Sequence, residues 1–522
     1  MGVFDKASLA LVPDGIKDGK LYSIKPTDES GDFTFERGAD IAATRVNSSG
    51  LIEKYRENFA KNTNWEGASL DTAPTDYGSF RVENGTFNTT GVEGQIRFTT
   101  DINSRAMVYT STISGTGIYI QSVYVDEVYT SLAVEDVINR SGGTTAIAYY
   151  EDGVEITSTT NVQAGKRYSI LWNKTAGASF RFGSGVMGSK VGDIVLSRPQ
   201  IEQGLVATEL IVSPVGSTGK AGVLDNLPRI DYTGGTPSLL LEPSRANLIT
   251  NSEYTTGLLS GNRTTITDLQ ATSPDGKFNA AKLIPSTDVN TTHQTDVKSG
   301  VLTTSYVSGD KLTISVFVKA DGFDGIILRF KNNGCFTTNR IAAFDLSRGR
   351  WENISMDGTI GVMTGEVGME NYGNGWYRCY ATATADATGT ADLRFPVVNV
   401  TSQDTYDETF TGDNIKAIQV YGFQLEAGSY PTSYIPTYGT AATRGMDNVT
   451  GSSLSVDGLF GTTEGSIFLE FTNPLPLSLV NNSFYITGQG GYQRIRGYWQ
   501  FYFPGLTFSP NGNLGDVKGN SK

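Results

Sequence analysis

Histidine is nearly absent from this 522-residue chain: there is one, His293. That excludes metal sites built on two or more histidines. Two cysteines, Cys335 and Cys379, exclude a disulfide scaffold and an all-cysteine zinc centre. They read as free thiols, with a single bridge left open if the fold brings them close. No apolar run nears the ~18 residues of a membrane span. The start, Met1–Pro13, lacks the ~7–15-residue apolar stretch of a secretory signal. Basic residues are in the minority: 41 Lys and Arg stand against 54 Asp and Glu, a net charge of −13. Such a chain repels phosphate backbones, so neither nucleic acid nor membrane insertion is expected.

What is present reads as β structure. Leu312, Ile314, Val316 and Val318 alternate with Thr313, Ser315, Phe317 and Lys319, the period of a half-buried strand. Ile118–Val125, Tyr168–Trp172, Ile326–Phe330, Ile415–Val420 and Ser466–Phe471 read the same way. Turn pairs such as Asn84-Gly85, Asp152-Gly153 and Asn374-Gly375 punctuate them. Only Leu51–Lys61 and Val134–Asn139 read as short helices, the first with Leu51, Ile52, Tyr55 and Phe59 on one side. Many short strands with frequent turns predict an all-β chain of sandwiches, jelly rolls or barrels.

Internal repeats define the units. Leu51–Asn58 matches Leu240–Asn247 at an offset of 189, Ser122–Val125 matches Ser315–Val318 at 193, and Gln200–Gly204 matches Gln424–Gly428 at 224. The matches are collinear and the offset only grows, so one domain occurs twice, the second copy with about 35 more residues. An Arg-centred join precedes each unit, at Thr44–Asn47, Pro228–Asp231 and Thr443–Asp447. The expected layout is a connector at 1–45, a jelly roll at 46–213, a flexible Gly/Ser-rich linker at 214–228, a second jelly roll at 229–437 and the start of a third β domain at 445–522. About 75 residues are too few to close a third sandwich of the same size, so that unit reads as incomplete or as a small β appendage. Tandem units on short linkers predict an elongated molecule.

Several of these stretches resemble known proteins. Ala7–Pro26, Ser30–Gly38 and Ala42–Asn47 resemble tail-fibre and other virion proteins of tailed phages. Gly375–Arg378 and Gly422–Thr437 resemble the concanavalin-A-like or carbohydrate-binding-module-like jelly rolls repeated in such proteins. Ser466–Thr472 with Arg494–Arg496 resembles the start of a laminin-G-like lectin domain. Copy one departs from this pattern: Arg198–Gly204 keeps Gln, Glu and Gly but loses the aromatics. The resemblance implies a virion component made in the host cytoplasm, anchored to other virion proteins by its first residues. It also implies a homotrimer.

Candidate sites follow from residue chemistry. Flat aromatic faces cover the C–H patches of sugars, so Trp172, Trp351, Trp376 and Trp499 are the carbohydrate-binding candidates, against a core role for each. Tyr430 and Tyr434 read as locks for the closing strand. Asp404, Asp407, Glu408 and Asp413 cluster in one loop; calcium is the ion such oxygens would suit, and a solvated acidic loop is the plainer reading. No other cofactor is implied. Arg56, Asn58, Arg245 and Asn247 read as residues that fix each unit to its predecessor. Gly183–Gly188 matches a dinucleotide fingerprint, but no helical period follows, so it reads as a turn. His293 lies in a polar stretch without a nucleophile motif and reads as an exposed loop or strand. With 54 acids and no β-helix period, no glycosidase pair can be picked. The expected function is therefore binding without catalysis: a tail-fibre-type appendage displaying jelly rolls to host glycans. A head fibre or capsid decoration without a receptor, a virion glycan depolymerase and a bacterial adhesin remain the alternatives.

Overall fold

The computed structural model describes residues 9–451, except 18, 39–41, 78, 186–189, 225, 353–359 and 403–404, together with the backbone of three short strands beyond. Trp499, Asp404 and nearly all of the third unit lie outside the described residues. The chain is all-β, as expected. No helix among the described residues is long and apolar enough to cross a membrane.

The first strands are Ala10–Lys17 (β1), Lys20–Lys25 (β2) and Phe33–Arg37 (β3). A lead-in follows: Thr44–Val46 (β4), Ile52–Lys54 (β5) and Arg56–Asn58 (β6). The predicted helix at Leu51–Lys61 is therefore corrected to strand. Its backbone groups pair instead, β5 with β4 and β6 with a strand far downstream. Unit one consists of Ser79–Thr89 (β7), Gln95–Tyr109 (β8), Gly117–Val128 (β9), the single helical turn Val134–Val137 (α1), Ile138–Glu151 (β10), Val154–Ile156 (β11), Lys166–Ser184 (β12) and Gly192–Gln203 (β13). Gly219–Ala221 (β14) then pairs with β6, so the Gly/Ser-rich segment is tied down rather than free.

The lead-in recurs as Arg229–Asp231 (β15), Ser238–Leu240 (β16) and Arg245–Asn247 (β17). Unit two begins with the turn Thr255–Leu258 (α2), Leu259–Asn262 (β18), Thr264–Ala271 (β19), Ala280–Pro285 (β20), Thr291–Val297 (β21), Ser305–Tyr306 (β22), Lys311–Asp321 (β23) and Gly325–Phe330 (β24). It continues with Asn339–Asp345 (β25), Arg350–Glu352 (β26), Ile360–Val362 (β27), Val367–Asn371 (β28), Trp376–Thr384 (β29), Gly389–Thr390 (β30), Leu393–Ser402 (β31), Thr405–Asp407 (β32), Thr409–Phe410 (β33) and Ala417–Ala427 (β34). Ala442–Arg444 (β35) pairs with β17, as β14 does with β6, and Asp447–Gly451 (β36) follows.

Both units share one strand order. Unit one reads β10-β12-β9-β13-β8-β7 and unit two β28-β29-β23-β34-β20-β19. The register agrees as well: Gln200 faces Ser122 in the first, and Gln424 faces Ser315 in the second. In unit one the long strands run on across the sandwich, β12 pairing first with β9 and then with β8. In unit two the corresponding strands are interrupted and a separate nine-stranded sheet packs over the six-stranded one, the extra strands β25, β26 and β27 lying in this region. Each unit has its own core. Phe87, Phe98, Trp172, Phe180 and Phe182 fill the first; Leu312, Val316, Phe344, Phe395 and Phe423 fill the second.

A bulge interrupts the last long strand of each unit. It sits at Arg198 (φ 55°) in unit one and at Gly422 (φ 65°) in unit two, left-handed positions that glycine occupies without strain. A Cβ at Gly422 would lie 2.9 Å from the Phe317 ring and 3.1 Å from that of Tyr434. Gly422→Ala should cost roughly 1–3 kcal/mol in denaturant unfolding. Arg198→Gly should stay within about 1 kcal/mol of the parent, because relief of backbone strain offsets the loss of the Arg198–Tyr124 cation–π contact.

The first strands do not project alone as a connector. β3 pairs with β36, and Leu21, Phe33, Phe35 and Val449 share a small core with Leu239 and Leu241 of the second lead-in.

Candidate functional site

Asn58 and Asn247 are fully buried and make the same four bonds. Asn58 donates to the carbonyls of Pro199 (3.3 Å) and Ile211 (2.9 Å) and accepts from the amides of Ala60 and Ile201 (3.0 Å each). Asn247 donates to Phe423 (3.0 Å) and Ile435 (2.9 Å) and accepts from Ile249 and Leu425 (3.1 Å each). Gln200 and Gln424 complete each latch by accepting from the amides of Ile211 and Ile435, while Glu202 and Glu426 hold Thr208 and Thr432. The repeated words in the sequence are thus a device that ties the first strand of a unit to the end of its own last strand. That corrects the reading of Asn58 and Asn247 as joints to a preceding unit. Arg56 and Arg245 are half-buried on the same strands; Arg245 lies over the Tyr430 ring at 5.5 Å.

The residues that do cross between units are others. Ile52 of the first lead-in enters an aromatic pocket on unit two made by Phe317, Trp376, Tyr421 and Tyr434. Beside it, Lys54 reaches Asp275 at 2.7 Å and Glu253 at 2.9 Å. The Tyr421 hydroxyl bonds both acids, at 2.9 Å to Glu253 and 3.0 Å to Asp275. A second buried cluster joins the beginning, middle and end of the described chain. Asp447 pairs with Arg37 (2.8 Å) and Arg229; Glu242 pairs with Arg229 (2.8 Å) and Arg444 (3.0 Å). The side chains of Arg37, Arg229, Arg444 and Asp447 are 0% exposed.

These clusters set a pH limit. Burial alone would raise the Glu242 carboxyl, but Arg444 and Arg229 reverse this and hold it at about 2, against an ordinary 4.5. Burial likewise opposes ionisation of Asp275, and Lys54 overrides it to hold that group at about 2, against 3.8. Both carboxylates take protons more readily in the unfolded chain. Their contribution is therefore complete above about pH 4.5 and disappears as the pH falls toward about 2. Stability measured by urea unfolding across this range should fall steeply below pH 4.5.

The aromatic candidates separate by burial. Trp172 is 2% exposed in the core of unit one, its indole N–H donating to Gln121 Oε1 at 3.1 Å. Trp376 is also 2% exposed, bonded to the Thr272 carbonyl at 3.1 Å and packed with Ile52 in the aromatic pocket. Neither presents a face to a sugar. Trp351 on β26 is 42% exposed, the most open of the described candidates. Tyr434 is buried, and Tyr430 is half-buried.

The three described acids of the loop have separate partners. Asp407 accepts from the amide and hydroxyl of Thr409, Glu408 pairs with Arg329 at 2.5 Å, and Asp413 accepts from the amides of Ile415 and Lys416. Among the described residues no group of three His, Cys, Asp or Glu is gathered for a metal. His293 is buried, which corrects its expected exposure: its nitrogens face the Arg263 and Phe410 carbonyls, and its ring packs on Phe410 at 4.6 Å. Cys335 and Cys379 are separate buried thiols, and burial pushes Cys335 up to about 11. The latter half of the Gly183–Gly188 motif lies outside the described residues.

Units one and two also meet directly. Ile118, Ile120, Tyr150 and Leu171 of unit one form one apolar cluster with Tyr254, Leu269 and Tyr438. The Ile118 amide donates to the Tyr438 carbonyl at 2.7 Å. Gly117 permits this approach, since a Cβ there would lie 1.9 Å from the Tyr438 oxygen. Above this contact opens a cleft of about 590 Å³ with walls from both units.

No family model and no curated protein matches the chain. The solved structures to which it is similar include the following two. One is the N-terminal CBM22-1-CBM22-2 tandem domain of Xyn10C from Paenibacillus barcinonensis, at 11% identity over 75% of this chain and 100% of that one, with a TM-score of 0.21. The other is an anti-sigma factor domain-containing protein, at 9% identity over 74% and 98% of the two chains, with a TM-score of 0.13. TM-scores this low carry no functional argument.

Proposed function

We propose that this protein is a fibre-type structural component of a bacteriophage virion, carrying its jelly rolls outward for attachment to carbohydrate on the host surface. The observation that supports it most is the fixed tandem: two sandwiches of one strand order, locked in place by Lys54 in its acidic pocket and by the Gly117–Tyr438 contact. Sugar contacts are individually weak, and rigidly repeated modules convert them into avidity. A homotrimer multiplies this further. The sequence motifs at Ala7–Pro26 and Gly422–Thr437 point to the virion, with residues 1–45 making contact with other virion proteins. The role is binding, without catalysis.

Two measurements test this. Immunogold labelling with antibody to the purified chain should mark the tails of virions. Label on the capsid would favour a head fibre or decoration protein, and unlabelled particles would end the virion proposal. A host-glycan array probed with the intact chain should give discrete positives; silence would remove the receptor role.

A further inference from the structure

The cleft between the units is lined by residues of both. Its floor is the backbone contact of Gly117 with Tyr438 and Gly439, so it is preformed. Its volume, about 590 Å³, falls in the ~300–1,000 Å³ range of small-molecule sites. Its walls are polar: Asn173 and Thr175 from unit one, Asn251, Tyr254, Thr256 and Lys298 from unit two.

Charge adds a second observation. Lys298 is exposed at the cleft and donates to the Thr256 carbonyl at 2.6 Å. Lys174 lies beneath Asn173, its ammonium directed at the carbonyls of Ser114 and Gly115. Among the described residues both ammonium groups hydrogen-bond carbonyl oxygens, in a chain of net charge −13. An ammonium carries three N–H donors, and Lys298 uses one here. The acid behind this wall, Asp268, accepts from Thr255 and Thr256.

We infer that this cleft is a saccharide site selective for sugar acids: an oligosaccharide whose carboxylate meets Lys298 and whose ring hydroxyls bond the exposed side chains of Asn173 and Thr175. This rests on the glycan-binding reading above and adds the place and the ligand class. The site exists only where the two units meet, which gives the tandem arrangement a use that a single sandwich lacks.

Calorimetric titration of the full chain with digalacturonate and trigalacturonate, beside the neutral galactose oligomers of the same linkage, decides it. The acidic oligomers should bind at least tenfold more tightly, with affinity falling as salt rises. Lys298→Gln should remove most of that preference and leave the neutral sugars unaffected. Asn173→Ala, at an exposed position, should weaken both. Equal binding of acidic and neutral oligomers, or an acid preference that survives Lys298→Gln, would overturn the cleft assignment while the glycan array still tests the broader reading. Absence of binding to either oligomer series overturns the inference. Only silence on the array as well overturns the reading beneath it.

Discussion

Asp447→Ala is expected to destabilise the protein by roughly 3–5 kcal/mol, the cost of removing one partner from a buried ion cluster. Asp447 accepts from the guanidinium groups of Arg37 and Arg229 and from the Glu242 amide at 2.9 Å. Without it, Arg37 and Arg229 lose the carboxylate that they share, and Glu242 remains beside Arg229 and Arg444. Asp447→Asn keeps the size and removes the charge, so it should lose most of the same free energy. An Asn variant with parental stability would show that shape, not charge, holds this joint. Limited proteolysis supplies a local readout: residues 20–37 should become cleavable in the variant, since β3 holds its place through β36 and this cluster.

Lys54→Met should have an effect of similar size, roughly 3–5 kcal/mol, and a distinctive pH dependence. The methionine fills the apolar length of the lysine but leaves Glu253 and Asp275 facing each other around the Tyr421 hydroxyl. At neutral pH these are two carboxylates without their cation. The penalty should shrink as the pH is lowered and one of them takes a proton, opposite to the acid sensitivity of the parent. Hydrogen exchange gives the structural readout. The amide of Ile52, bonded to the Pro274 carbonyl at 2.9 Å, should exchange faster, whereas the latch amides Ile201 and Leu425 should not. Unchanged exchange at Ile52 would mean that the apolar pocket alone seats the lead-in.

Much of this architecture was legible in the sequence, and the reasons are physical. Period-two alternation gave the strands because the two faces of a sheet meet different surroundings. Gln200–Gly204 and Gln424–Gly428 recur because the latch needs an amide and a carboxylate at fixed positions on a closing strand. Leu51–Lys61 misled because strands as short as β5 and β6, of three residues each, cannot display a period of their own. They are strands through partners distant in sequence. Trp172 and Trp376 show a further limit. Composition counts aromatics but cannot say which side of a sheet they occupy, and Trp376 is covered by Ile52, a residue of the other unit's lead-in. Lys54 gave no signal at all, since its two acids lie near positions 253 and 275 and become neighbours only through folding.

The antiparallel pairing of β3 with β36 bears on how tension would travel. Phe33 sits opposite Gly451, and Arg37 opposite Asp447. Both sandwiches therefore lie on a loop closed by these two strands, so force applied through the flanking segments reaches the pair first and peels it one rung at a time. The buried Arg37–Asp447 contact stands at the last rung, where it shields the sandwiches from the load until the zipper has opened.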